Sequence, residues 1–164
     1  MTGQDHGGGT LSIGSMVGIG VYGITFEDIF LNGTGRGLRI ETRPGMGGVV
    51  DGITYRNITG VGMGACPAWQ KPKRGEMNLT EAWTDIDIDL LGGKGKKSKC
   101  NTTVSNVLFE DITITGGPGA GQMFGSGECE ILNVTMKNVR LGGGAAAKAS
   151  FGACTVQGGE LNEF

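Results

Sequence analysis

Histidine occurs once in this 164-residue chain, as His6, and the four cysteines include no CxxC pair. Structural zinc sites draw on closely spaced Cys and His ligands, so the sequence argues against one. No apolar run approaches the ~18 residues that a spanning helix needs, so no membrane segment is expected. Neither sign of charge dominates: the formal net charge is −2. That balance gives no reason to expect nucleic acid or an anionic membrane surface as a partner. The first residues lack a charged start followed by an apolar stretch, so no leader is read there. Gly7-Gly8-Gly9 is not followed by GK[ST] or by a helical pattern. A phosphate loop is therefore weakly supported, and no cofactor is expected.

Glycine is abundant, at 34 residues. It falls in clusters with no triplet period, which excludes collagen. Short runs rich in Val, Ile, Thr and Phe separate the clusters. Such a pattern reads as many short strands joined by tight turns.

Four segments repeat: VYGITFEDIFL at 21–31, VDGITYRNITG at 50–60, VSNVLFEDITI at 104–114 and ILNVTMKNVRL at 131–141. Their common form is x-x-[GN]-[IV]-x-[FYM]-x-[DN]-[IV]. The equivalent aliphatics Ile24, Ile53, Val107 and Val134 are 29, 54 and 27 residues apart, and 54 reads as two periods of 27. A second strand type falls between them: LSIGS at 11–15, LRIET at 38–42, IDIDL at 86–90, QMFGS at 122–126 and FGACTV at 151–156. One such coil cannot bury its apolar side alone, but stacked coils bury a continuous core. The expected fold is all-β, a partial right-handed single-stranded parallel β-helix of about five or six coils. Residues 1–164 form one such domain, with loops extruded near 61–82 and 92–103. Leu38, Ile40, Ile86, Ile88 and Leu90 should point inward. Arg39, Glu41, Asp87 and Asp89 should point out.

Lys94, Lys96, Lys97 and Lys99 crowd the second loop. They read as a solvated tip, with contact to an acidic polymer as the alternative. Asp85, Asp87 and Asp89 alternate on one strand. An acid/base pair or a calcium site is conceivable, but an exposed edge facing the lysine-rich loop is the favoured reading. Asn32, Asn57, Asn78, Asn101 and Asn133 each head an N-x-[ST] sequence. That density points to a secreted glycoprotein with oxidised cysteines. Asn57 and Asn133 lie in the repeats, where threonine serves β-structure, so Asn32, Asn78 and Asn101 are the better acceptors. Coil spacing favours bridges between Cys66 and Cys100 and between Cys129 and Cys154.

Three blocks in order carry a resemblance: Ser12-Ile13-Gly14-Ser15, Gly23-Ile24-Thr25-Phe26-Glu27-Asp28 and Gly37-Leu38-Arg39-Ile40. They resemble the C-terminal half of glycoside hydrolase family twenty-eight, the polygalacturonases. That family shows G-H-G-[IL]-S-I-G-S, V-x-N-[IV]-T-x-E-[DN] and G-[LI]-[RK]-I-K. The likeness is strong over 10–60 and rests on the repeat alone over 104–156. It implies a secreted enzyme of the cell wall that hydrolyses α-1,4-galacturonosyl bonds of pectin with inversion. An acidic polysaccharide is then the partner, and the full-length protein is expected to be a monomer. The family motifs carrying three catalytic aspartates have no counterpart and would precede residue 1. The family histidine would fall at Gly9, so His6 is the candidate for it. The final lysine of the third block is Glu41 here.

The resemblance thus implies a catalytic role for His6 and substrate binding at Arg39 and Glu41. A guanidinium suits a uronate because it grips a carboxylate with two parallel hydrogen bonds. The plainer alternatives are a residue near a chain end for His6 and a pair with Glu41 or Asp87 for Arg39. A non-catalytic or degenerate β-helix binding acidic polysaccharide is the competing function, and a calcium-dependent lyase a third. Thiol labelling of the unreduced protein should find no free cysteine. Four reactive thiols would contradict the oxidised, extracellular reading.

Overall fold

The computed structural model describes residues 9–14, 17–34, 36–42, 45, 47–62, 85–90, 101–117, 121–125, 129–143, 148–151, 154–156 and 162–163. Every regular element among them is a strand. One sheet runs β1 (Gly9–Ile13), β4 (Arg36–Glu41), β6 (Ile86–Asp89), β8 (Gly121–Phe124) and β12 (Asn162–Glu163). The other contains β2 (Val21–Tyr22) and β3 (Thr25–Asn32), both on β5 (Gly48–Val61), then β7 (Thr102–Gly117) and β9 (Glu130–Gly143). Within each sheet the strands up to β9 pair in parallel. The chain alternates between the sheets, so each short strand and the long strand after it make one coil of a parallel β-helix.

Side-chain ladders run up the stack. In the short-strand sheet, Leu11, Leu38 and Ile86 align, as do Ile13, Ile40, Ile88 and Met123. All seven are buried. In the long-strand sheet, Ile53, Val107 and Val134 form one buried row and Ile58, Ile112 and Val139 another. Burying each such side chain contributes about 1.5–3 kcal/mol, which offsets the entropy of ordering a glycine-rich chain. Phe26, Tyr55 and Phe109 stack with ring centroids 5.0 and 5.1 Å apart.

The long strands bend without leaving register because successive coils turn at equivalent positions. Asp28, Asn57, Asp111 and Asn138 all have φ between 49° and 57°. Gly23, Gly52, Asn106 and Asn133 make an equivalent row at 52–70°. Asn and Asp tolerate this left-handed region better than other side-chain-bearing residues, and the Asn amides donate to Asp carboxylates from coil to coil. Asn57 Nδ2 donates to Asp28 Oδ1 at 2.6 Å, and Asn138 Nδ2 to Asp111 Oδ1 at 2.7 Å. Beside them runs an exposed charge ladder, Glu27–Arg56–Glu110–Lys137. Arg56 pairs with Glu27, and Lys137 with Glu110.

Three expectations change. Ile53 pairs directly with Val107, 54 residues on, so that interval is one coil carrying insertions and not two periods. The described strands accordingly form four parallel coils. Val61 still belongs to β5, and Thr102 and Thr103 to β7; residues 63–82 and 92–100 of the expected loops lie outside the described residues. Finally, the stretch 151–156 does not begin another coil. β10 (Lys148–Phe151) and β11 (Cys154–Val156) run antiparallel to β9, and β12 runs antiparallel to β8. The reversed strands pair with edges that would otherwise be open to association.

Tyr55 ties the two sheets together. Its hydroxyl lies 3.2 Å from the Arg39 carbonyl oxygen and 3.3 Å from that of Leu11, and donates to one at a time. Burial pushes its ionisation above the ordinary tyrosine value. Replacing Tyr55 with Phe keeps the ring stack and removes this bond. Urea unfolding should show a loss of about 1 kcal/mol, and an unchanged midpoint would mean that the hydroxyl contributes nothing.

Candidate functional site

The outer face of the short-strand sheet brings the first and third family-like blocks together, while Gly23–Asp28 leads into β3 of the other sheet. On β1, Ser12 is exposed and stands in register with Arg39 on β4. Arg39 is in register with Asp87 on β6, and Glu41 with Asp89. Alternation alone puts these residues on one face: Leu38 and Ile40 go to the core, so Arg39 and Glu41 go outward.

Arg39 is bonded on two sides. Its Nε donates to Asp87 Oδ2 at 2.8 Å, and its Nη1 lies 2.8 Å from Glu41 Oε2. The first contact joins residues 48 apart and depends on the coil register. Both partners named as the plainer reading of Arg39 are therefore its actual neighbours.

Gly14 explains the glycine of the SIGS block. Its φ is +105°, and a Cβ there would stand 1.7 Å from the Glu41 carbonyl oxygen. Only a glycine lets the end of β1 pass so close to β4. The backbone of Glu41 is thus held from one side by Gly14. On the other it pairs with Asp89, whose carbonyl also accepts the Thr42 N–H at 2.8 Å.

The aspartates of β6 overturn their favoured reading. Asp85, Asp87 and Asp89 are 0%, 3% and 5% exposed, so they do not form an exposed edge. Asp87 and Asp89 share one face of β6, and Asp85 stands just before it. Asp87 is taken up by the Arg39 guanidinium of the neighbouring coil. Among the described residues no cluster of three His, Cys, Asp or Glu side chains is arranged to hold a metal ion.

His6, Cys66, Cys100 and Asn78 lie outside the described residues, as do the lysines at 94, 96, 97 and 99. Asn32, at the end of β3, and Asn101, before β7, are exposed. By contrast, Asn133 Nδ2 donates to Asn106 at 3.2 Å, and Asn57 Nδ2 to Asp28. Both amides work as corner bonds between coils. Cys129 is buried and disulfide-bonded. Its Sγ lies 4.0 Å from the Leu90 carbonyl, a van der Waals contact, because a disulfide sulfur has no proton to donate. The expected bridge to Cys154 does not fit the strand register. Cys154 is opposite Met136, seven residues along from Cys129. Even around the corner at Asn133 that is roughly 15 Å of strand, against a Cα reach of about 7 Å.

Replacing Arg39 with Met would leave Asp87 facing Glu41 without the guanidinium between them. Removing one partner of a buried ion pair costs about 3–5 kcal/mol, and the half-open side of this site places it near the lower figure. Urea unfolding at neutral pH measures it; a loss under ~1 kcal/mol would mean the pair is screened like a surface bridge.

Residues 1–64 match the family model described as glycosyl hydrolases family 28. An endo-polygalacturonase of Pectobacterium parmentieri is 32% identical over 139 residues, 85% of this chain and 28% of that protein. A probable endopolygalacturonase D of Neosartorya fischeri is 29% identical over 150 residues, 89% of this chain and 28% of that protein. The chain therefore spans just over a quarter of the length of these relatives. No solved structure matches. The matching blocks, the parallel coils and these relatives all make the chain similar to glycosyl hydrolases family 28.

Proposed function

We propose that this chain is the C-terminal part of a secreted, extracellular polygalacturonase-like enzyme that hydrolyses α-1,4-galacturonosyl bonds of pectin with inversion. The observation that carries the reading is the outward row Ser12–Arg39–Asp87, which aligns the first and third family-like blocks on one face of the coil. The relatives named endo-polygalacturonase agree with it. On this reading His6 belongs to the catalytic apparatus and Arg39 with Glu41 to the sugar-binding face. Asn32, Asn78 and Asn101 carry glycans, and Cys66, Cys100, Cys129 and Cys154 are oxidised. The acid and base come from motifs absent from residues 1–164, and the whole protein acts as a monomer at the cell wall.

One observation favours the non-catalytic alternative, a β-helix that binds acidic polysaccharide. Arg39 is already held by two carboxylates of its own chain. Binding and catalysis are separable by experiment. The chain alone should bind galacturonate oligomers weakly in calorimetry, with affinity falling as salt rises and falling further in Arg39→Ala. It should release no reducing ends from polygalacturonate, because inverting hydrolysis needs two placed carboxyl groups. Release that is lost in Asp87→Asn would put the acids on this face instead. Failure to bind either galacturonate oligomers or their methyl esters would count against a pectic substrate.

A further inference from the structure

A guanidinium has five N–H donors and can take a carboxylate in parallel hydrogen bonds along its Nε–Nη2 edge or across its two Nη atoms. Neither arrangement is open at Arg39. Asp87 takes Nε, and Glu41 sits on Nη1, each at 2.8 Å. Side-chain exposure rises from 4% at Asp87 through 10% at Arg39 to 18% at Glu41. The open side of the triad is therefore the side of Glu41, and a ligand approaching the guanidinium meets that carboxylate first.

Glu41 cannot leave by moving its backbone. Gly14 packs against its carbonyl oxygen, and its strand is paired on both sides, with β1 and with β6. Only the side chain can swing away. A ligand carboxylate must then displace it and replace its bond to Arg39.

We propose that Glu41 is a specificity-determining residue. Its carboxylate occupies the place on Arg39 that the carboxylate of an acidic sugar would take, so this subsite disfavours a free uronate and accepts a neutral or esterified sugar. The inference rests on reading this face as a saccharide-binding surface. It differs from a substrate-gripping role for Glu41, because removing the acid should improve binding of an anionic sugar.

The test is calorimetric titration of the full chain with trigalacturonate and with its methyl ester. The unmodified chain should bind both weakly with little preference. Glu41→Gln, which keeps the shape and removes the charge, should bind the acid about fivefold more tightly. That is the size of one like-charge repulsion of about 1 kcal/mol at 4 Å in water. Its affinity for the ester should be unchanged. Added salt should shrink the gain, and Arg39→Met combined with Glu41→Gln should abolish it. Circular dichroism and the melting temperature establish that each variant is folded. If the unmodified chain binds the acid and Glu41→Gln binds it equally or less well, the competition is overturned and the saccharide-binding reading survives. If neither folded protein binds either sugar, the saccharide-binding reading falls and the inference falls with it.

Discussion

Pairing of β5 with β7, in register along both strands, is the contact on which the rest of the molecule depends. It joins residues 54 apart, and it sets which short strand lies next to which on the other sheet. Ladder hydrogen bonds alone do not choose a register. The choice comes from what a slip would do. Moving one strand by a residue would turn Ile53, Tyr55 and Ile58 away from Val107, Phe109 and Ile112. It would also move the corner at Asn57 off the corner at Asp111, leaving two left-handed residues on one coil facing extended ones on the next. Aliphatic rows, aromatic stack and corner amides all favour one alignment, and such agreement between levels is what gives a sequence one fold.

The outer face of the short-strand sheet inherits that alignment. β4 and β6 are short, six and four residues. Their relative height is fixed by the long strands that follow them and by Tyr55, which reaches across the core to the carbonyl of Arg39. The guanidinium then meets Asp87 from the next coil. Chemistry on this face is therefore assembled from residues far apart in sequence, carried by rigid elements that hold them at strand spacing. Loops could supply the same side chains but not the same constancy of position.

Much of this was legible in the sequence. The [GN]-[IV]-x-[FYM]-x-[DN]-[IV] repeat marks two left-handed corners and three inward side chains; all four copies turn at both corners, and all but the first bury all three side chains. The ion partners of Arg39 were also readable, since alternation and the repeat put Glu41 and Asp87 beside it. The number of coils was not. An insertion that leaves the sheet and returns changes the interval without changing the stack, so 54 residues look like two periods of 27. Burial of Asp85, Asp87 and Asp89 was equally hidden, because strand alternation gives the side of the sheet and not what covers it. The reversal after β9 had no signal either: the stretch 151–156 has strand composition, and composition does not encode direction. Pairing of Cys129 with Cys154 failed for the same reason, as it assumed a further parallel coil.

Nuclear Overhauser contacts at the aromatic stack test the register most directly. A protein of 16.9 kDa is within reach of assigned spectra. Ring protons of Tyr55 should show cross-peaks to both Phe26 and Phe109, and the backbone of Thr54 should show them to Leu108. The same alignment that puts Phe109 on Tyr55 puts Asp87 on Arg39. If Tyr55 and Phe109 share no cross-peak, and another coil's side chain contacts each of them instead, the single long coil is wrong and the Arg39–Asp87 pair goes with it.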